Sequence, residues 1–284
     1  MKLGIAGLLP HWNLIDLPAA QRVRAAGFRG ASIFFPKPLE AEPRDAQRLK
    51  AILAESGLEA AQANGWYEVL VHPDPDRRAE GVRGIQALTR LGREIGAASV
   101  YVRPGSLNPR GAWYPHPENG SPAVFDRLVT SLKAAAQTAE QEGVPLALEG
   151  HVLSPLDTPR RMRDVLDAVG SPALKVNMDP VNFIGSLRDV YDNTRVLNEL
   201  FDLLGEAIIA AHLKDCALED RLVLHIAEVV PGLGTLDYNL LLTRMQALQP
   251  DVYALIEHLP DEKVPQARDN VAEMARRCGV PLEG

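Results

Sequence analysis

Along this chain, apolar runs of four to seven residues alternate with longer stretches in which apolar positions recur every three or four residues. The first pattern is that of buried strands, the second that of amphipathic helices. The runs predict strands at 3–8, 30–35, 59–63, 99–103, 145–149, 174–179, 207–212 and 252–257. The stretches between them predict helices, most clearly at 44–56, 75–95, 123–142, 159–168, 187–204, 238–246 and 265–278. Gly27, Gly57, Gly96, Gly143, Gly170 and Gly205 each fall just after a helical stretch and shortly before a strand, where helix C-caps belong. Strand-helix units of roughly 30 to 35 residues, repeated eight times, match parallel strands joined by helical crossovers. The pattern predicts a (β/α)8 TIM barrel in a single domain spanning 1–284, with a doubly wound open sheet as the competing arrangement. No flexible linker or composition break divides the chain.

The residues that act in such a barrel lie at the C-terminal ends of its strands. Four runs end there in metal-binding side chains: Leu146-Ala147-Leu148-Glu149, Val176-Asn177-Met178-Asp179, Ile209-Ala210-Ala211-His212 and Ala254-Leu255-Ile256-Glu257. Side chains alternate along a strand, so Glu149 shares a face with His151, Asp179 with Asn177, and His212 with Lys214. Each residue alone has a plainer reading, as a solvated or helix-capping carboxylate or a hydrogen-bonded core histidine. Together, three carboxylates gathered at one mouth without a counter-charge would repel one another and be costly to desolvate. A divalent cation removes that conflict. Three oxygen donors and one nitrogen suit one Mn2+, Mg2+, Co2+ or Zn2+ ion, and the lack of cysteine ligands argues against a closed structural zinc site.

Composition narrows the classes further. At 284 residues, 46% hydrophobic and 24% charged, the chain is an ordinary globular protein with ample core. A net charge of −7 argues against a nucleic acid as main partner. Its two cysteines, Cys216 and Cys278, form no Cys-x-x-Cys pair, so a cytoplasmic, reducing setting is expected. The apolar run at 3–9 is too short to span a membrane and lacks a small-residue cleavage pattern, so it is read as a first strand. No glycine-rich nucleotide loop follows a strand and no nucleophile elbow is present, leaving a metal-dependent enzyme as the leading reading.

The elements Leu148-Glu149-Gly150-His151, Asn177-Met178-Asp179-Pro180-Val181-Asn182, His212-Leu213-Lys214-Asp215, Pro231-Gly232-Leu233-Gly234 with Asp237, and Ile256-Glu257 resemble the sugar phosphate isomerase/epimerase family with its xylose isomerase-like TIM barrel. The likeness is specific in strands five to eight and only general in the first half. It implies that Glu149, Asp179, His212 and Glu257 hold one divalent metal, which polarises the carbonyl of a sugar, sugar phosphate or hydroxyketone and stabilises an enediolate. It also implies that Glu149 and Glu257 exchange the proton as acid and base. Two positions depart from the family's ketose 3-epimerases. Asn182 stands where they carry a histidine, and Leu218 where they carry an arginine, so an isomerase or a polyol dehydratase stays open beside an epimerase.

Around the quartet, Lys214 would stabilise an enediolate or a substrate carboxylate, unless it merely pairs with Asp215 or Glu149. His151 would contact substrate or orient Glu149, and Asn182 would bind a hydroxyl. Trp12 and Trp66 would offer walls to sugar C–H faces, and Arg103 would suit an anionic group, although tryptophan is also good core material. His11, His72, His116 and His258 are expected to be structural or surface residues. The stretch holding His225 and Glu228 is read as a lid or a solvated hairpin, and the Pro231-Gly232-Leu233-Gly234 turn as a close approach to the site or a bare turn. An apurinic endonuclease-like phosphodiesterase would need further His and Asp ligands that this chain lacks. A non-catalytic sugar-binding barrel is disfavoured by the complete quartet. The expected partner is a small carbohydrate, with no membrane; the resemblance is compatible with a homo-oligomer, although no interface is legible.

Overall fold

Short apolar strands that must hide both faces can do so in only a few ways, and closing a parallel sheet on itself inside a ring of helices is one. In the computed structural model, which describes residues 1–284 apart from the side chain of Pro43, this is the arrangement adopted. The barrel strands are β1 (Lys2–Ile5), β2 (Gly30–Phe35), β3 (Glu59–Gly65), β4 (Val100–Val102), β5 (Leu146–Leu148), β6 (Leu174–Met178), β7 (Ile208–Leu213) and β10 (Tyr253–Ile256). They close in the order β1-β10-β7-β6-β5-β4-β3-β2, every pairing parallel. The chain is a (β/α)8 TIM barrel.

The helices α1 (Leu17–Ala25), α2 (Pro43–Ser56), α3 (Pro75–Ile95), α4 (Pro122–Glu142), α5 (Pro159–Val169), α6 (Leu187–Tyr191), α7 (Asn193–Leu204), α8 (Tyr238–Leu248) and α9 (Val264–Arg277) pack around it. Their ends follow the punctuation in the sequence. Asp16, Asp74, Thr158, Ser186 and Asp237 accept N-terminal backbone N–H groups, and Gly57, Gly96, Gly143 and Gly170 end helices with positive φ. Gly205 does not cap in that way: at φ −49 it opens a short 3-10 turn. The helix expected over 187–204 is broken at Asp192, giving α6 and α7, and α1 forms where the sequence pattern gave no clear signal. None of the described helices is long and apolar enough to cross a membrane.

The main core lies between strands and helices, and a smaller cluster of Ala61, Tyr253 and Leu255 fills the barrel's interior. Above that apolar floor the inward positions turn polar. The stretch between β7 and α8 folds as an antiparallel hairpin, β8 (Asp215–Leu218) with β9 (Ile226–Val229), outside the barrel sheet. Its outer end carries exposed Leu222 and Val223.

Candidate metal centre

Glu149, Asp179 and Glu257 each follow directly on the last residue of their strand, and His212 is the penultimate residue of β7. In β7 and β10, His212 pairs with Leu255, so the histidine and Glu257 project from adjacent strands toward the same mouth. One ligand atom from each of Glu149, Asp179, His212 and Glu257 lies within 4.8 Å of all the others, and the four side chains are buried. The Nδ1 atom of His212 is 2.9 Å from Glu149 Oε1 and 3.0 Å from Glu257 Oε1. The ammonium of Lys214 lies 2.6 Å from Asp179 Oδ2 and 2.7 Å from Glu257 Oε1. It is therefore not paired with Asp215 or Glu149.

Buried polar atoms nearly always have hydrogen-bond partners. Here Asp179 Oδ1 is sealed from solvent without one, while Asp179 Oδ2 and the equally sealed His212 Nδ1 meet only charged groups of the cluster itself, Lys214 and the two glutamates. Donor atoms of metal-ligating type, converging at one buried point, fit a cation. Charge leads to the same conclusion. Burial alone would lower the His212 imidazole, but Glu257 and Glu149 raise its pKa to about 10. Burial raises the Asp179 carboxyl to about 6, with Lys214 only partly opposing it. Burial likewise works to raise Glu149 and Glu257, but His212 and Lys214 outweigh it and hold both carboxyls below their ordinary value. In the absence of an ion, a proton on His212 serves as counter-charge to the carboxylates.

Three residues from deeper in the barrel hold Glu149 and His212 of this candidate set in place. The Tyr101 hydroxyl donates to Glu149 Oε2 at 2.6 Å, while Asn177 Nδ2 donates to Glu149 Oε1 at 2.7 Å. Gln62 Nε2 donates to Asn177 Oδ1 at 3.1 Å, and Gln62 Oε1 faces His212 Nε2 at 3.4 Å. The Tyr101 ring stacks on the His212 ring at 5.6 Å. Such outer partners orient a ligand imidazole and settle which nitrogen is free to bind. Tyr101 and Gln62 went unrecognised in the sequence. The available signals were the alternation linking Tyr101 to Arg103, and a lone glutamine within a run of small apolar residues.

Other candidates lie around the mouth. The His151 ring accepts the Leu153 N–H at 3.0 Å and lies 5.7 Å from the ring of Trp113. Burial lowers its pKa to about 4, with Glu149 only partly opposing this. Asn182 is buried and donates to the Gly150 carbonyl at 3.3 Å, tying the loop after β6 to that after β5. Arg103 is buried, and its guanidinium lies over the rings of Trp66, itself 61% exposed, and Tyr67. Trp12 is buried and stacks on Phe35 at 5.3 Å.

His258, expected to be a structural or surface residue, is exposed and takes a left-handed backbone conformation at φ +58. Its ring lies 3.6 Å from Glu257 and 3.3 Å from Glu228 of β9, so the hairpin is fastened to the rim of the site. The Pro231-Gly232-Leu233-Gly234 turn is no open anion cradle. The Asp215 carboxylate accepts the N–H groups of Gly232 and Gly234 at 2.9 Å, of Leu236 at 3.0 Å and of Cys216 at 2.8 Å.

Among solved structures, the chain is similar to the 3-keto-D-glucoside 4-epimerase YcjR from E. coli, at 21% identity and TM-score 0.72, with 97% of this chain and 99% of that one covered. It is similar to a xylose isomerase-like TIM barrel protein from Mycobacterium smegmatis in complex with magnesium, at 16% identity and TM-score 0.75, covering 98% and 96%. It is also similar to the probable 3-DHS dehydratase AsbF from Bacillus anthracis, at 16% identity and TM-score 0.74, covering 98% and 100%. At such identities the likeness is one of fold. No curated protein sequence matches the chain. The family model described as xylose isomerase-like TIM barrel matches residues 20–278, and the chain belongs to that family.

Proposed function

We propose that this protein is a divalent-metal-dependent isomerase or epimerase of a small carbohydrate or hydroxyketone, acting through an enediolate. The observation that carries the reading is the convergence of Glu149, Asp179, His212 and Glu257, with the buried Asp179 Oδ1 left without a partner. One divalent ion, whether Mn2+, Mg2+, Co2+ or Zn2+, would supply Lewis-acid polarisation of the substrate carbonyl there. The protein's own residues do the rest.

The two glutamates differ in their freedom. Both oxygens of Glu149 accept hydrogen bonds, from Asn177 and Tyr101, whereas Glu257 Oε2 accepts none from the described residues. Glu257 is therefore the better placed to take the α-proton and release it to solvent, while Glu149, after taking a proton from solvent, would return one from the opposite side. Lys214 adds positive charge where the enediolate oxygens develop negative charge. His151, Asn182 and Trp66 would orient the substrate, and Trp12 would act indirectly, through its stack on Phe35.

A dehydratase on the same site is the second reading. It is favoured by the buried Lys214 ammonium, a proton source beside Glu257 for a departing hydroxide. The test is to incubate the manganese-loaded protein in D2O with ketoses and hydroxyketones, following deuterium entry and loss of water by NMR. Exchange at the α-carbon without loss of water supports isomerase or epimerase chemistry, and loss of water supports the dehydratase. Glu149→Gln and Glu257→Gln should each abolish turnover. Full activity in either variant removes the two-glutamate mechanism.

A further inference from the structure

Arg103 is 6% exposed, yet among the described residues no carboxylate lies within ion-pair distance and its guanidinium makes no hydrogen bond. Its stem is buried while its guanidinium nitrogens are still reached by solvent, so the charge is presented rather than sealed, and an arginine held in this way is expected to meet an anion in the working protein. Its surroundings are built rather than incidental. The guanidinium carbon lies 5.0 Å from the centre of the Trp66 ring and 4.4 Å from that of Tyr67. The Tyr67 hydroxyl is itself fixed, accepting the Arg103 backbone N–H at 2.8 Å. Rings over the planar cation leave its N–H edge as the part free to bind, and no nitrogen on that edge is sealed from solvent without a partner.

Direction follows from the strand. Tyr101 points into the barrel, since its hydroxyl reaches Glu149, and Arg103 lies two residues further toward the mouth on the same face. On the neighbouring strand Val102 pairs with Leu148, which sets Arg103 beside Glu149. Arg103 thus stands at the mouth, beside Glu149 in register, with its guanidinium over the two rings that follow β3.

We infer that Arg103 is a specificity-determining residue that binds a carboxylate of the substrate, making the ligand a polyhydroxylated carboxylic acid rather than a neutral sugar or a sugar phosphate. This rests on the proposed function only in placing the substrate at that mouth. A guanidinium edge and a carboxylate are coplanar partners that form two parallel hydrogen bonds, a match that lysine does not provide. A phosphate in barrels of this kind is commonly held by backbone N–H groups of the loops after the seventh and eighth strands. Here the turn after the hairpin has its amide groups of Gly232, Gly234 and Leu236 turned onto Asp215, so those donors are already filled. The three carboxylates of the quartet are balanced by a divalent ion together with Lys214, leaving the Arg103 charge for the ligand.

The test is calorimetric titration of the manganese-loaded protein with matched ligands. These are glycerate, D-erythronate and D-gluconate; the alcohols glycerol, erythritol and D-glucitol; and the phosphates glycerol 1-phosphate and D-glucitol 6-phosphate. At least one acid should bind about tenfold or more tightly than its alcohol and than either phosphate. Arg103→Gln should erase that preference while leaving affinity for the alcohol and for manganese, read by electron paramagnetic resonance, unchanged. Arg103→Lys should restore only part of it, which guards against a folding defect in the first variant. Equal affinity of acids and alcohols, tighter binding of a phosphate, no binding of any acid, or a preference that survives Arg103→Gln each overturns the inference. An acid preference that persists after manganese is removed leaves the subsite standing even if the proposed metal chemistry fails.

Discussion

The Tyr101 hydroxyl donates to Glu149 Oε2 at 2.6 Å from inside the barrel, and the same ring stacks on His212. One residue of β4 thereby positions two of the four candidate ligands. Burial first, and then the neighbouring Glu149, raise the Tyr101 hydroxyl well above its ordinary range, so it remains a donor at every working pH. Tyr101→Phe keeps the stack and removes the hydrogen bond. Manganese affinity measured by calorimetry should fall about 10- to 100-fold, with the fold intact by circular dichroism. Unchanged affinity would mean that Tyr101 does not orient Glu149.

Lys214 is the cation that Asp179 and Glu257 share. Replacing it with methionine leaves two buried carboxylates facing each other. In EDTA, Lys214→Met should lose about 3 to 5 kcal/mol of stability in urea unfolding. Added manganese should recover more stability in this variant than in the wild type. Equal loss with and without the ion would show that Lys214 is not part of the charge balance at the centre.

The site's pH dependence has a definite sign. The His212 pKa is raised from 6.5 to about 10, so its protonated pairing with Glu257 and Glu149 stabilises the ion-free fold fully below pH 6.5. That contribution is lost as pH rises through about 10. Asp179, raised from 3.8 to about 6, acts in the same direction, its contribution fading as pH rises through about 6. A metal ion requires His212 without its proton, so ion and proton compete, and affinity should rise by up to about tenfold per pH unit below pH 10. Melting temperatures in EDTA should therefore fall between about pH 7 and about pH 10. The increment from manganese should grow over the same interval. A constant increment would sink the assignment of His212 as a ligand.

Gly150, directly after Glu149, has no room for a side chain. A Cβ there would lie 2.6 Å from both Met162 Sδ and Phe183 Cζ, and 2.9 Å from the Leu156 carbonyl oxygen. Gly150→Ala should cost about 1 to 3 kcal/mol through overpacking. It should also weaken manganese binding, because the strain falls on the residue that aims Glu149. Calorimetry together with urea unfolding reads both effects. A loss of stability alone would show that the loop gives way without moving the ligand.

Much of this was legible in one dimension. The barrel could be read because period-two apolar runs, helical periodicity and glycine stops are local consequences of backbone geometry, repeated in every unit. The quartet could be read because a carboxylate or imidazole at the end of a buried strand is unusual wherever the chain places it. The break at Asp192 and the turn at Gly205 were not legible. Apolar periodicity runs unbroken through the first, and a glycine after a helix is compatible with more than one conformation.

What the sequence by itself determined, then, is the set of strand-end donors and the rhythm that brings them to one mouth. Tertiary structure decided their partners. Gln62, Tyr101 and Asn177 come from three different strands yet form one network under Glu149 and His212. Lys214 pairs with Asp179 from the adjacent strand and with Glu257 from the last, rather than with its neighbour Asp215, because alternation along β7 turns it inward. Arg103 keeps its charge unpaired between two rings, and His258 joins the hairpin to Glu257. Closing the barrel sets the distances between strands remote in sequence, and those distances govern charge balance and hydrogen bonding at the site.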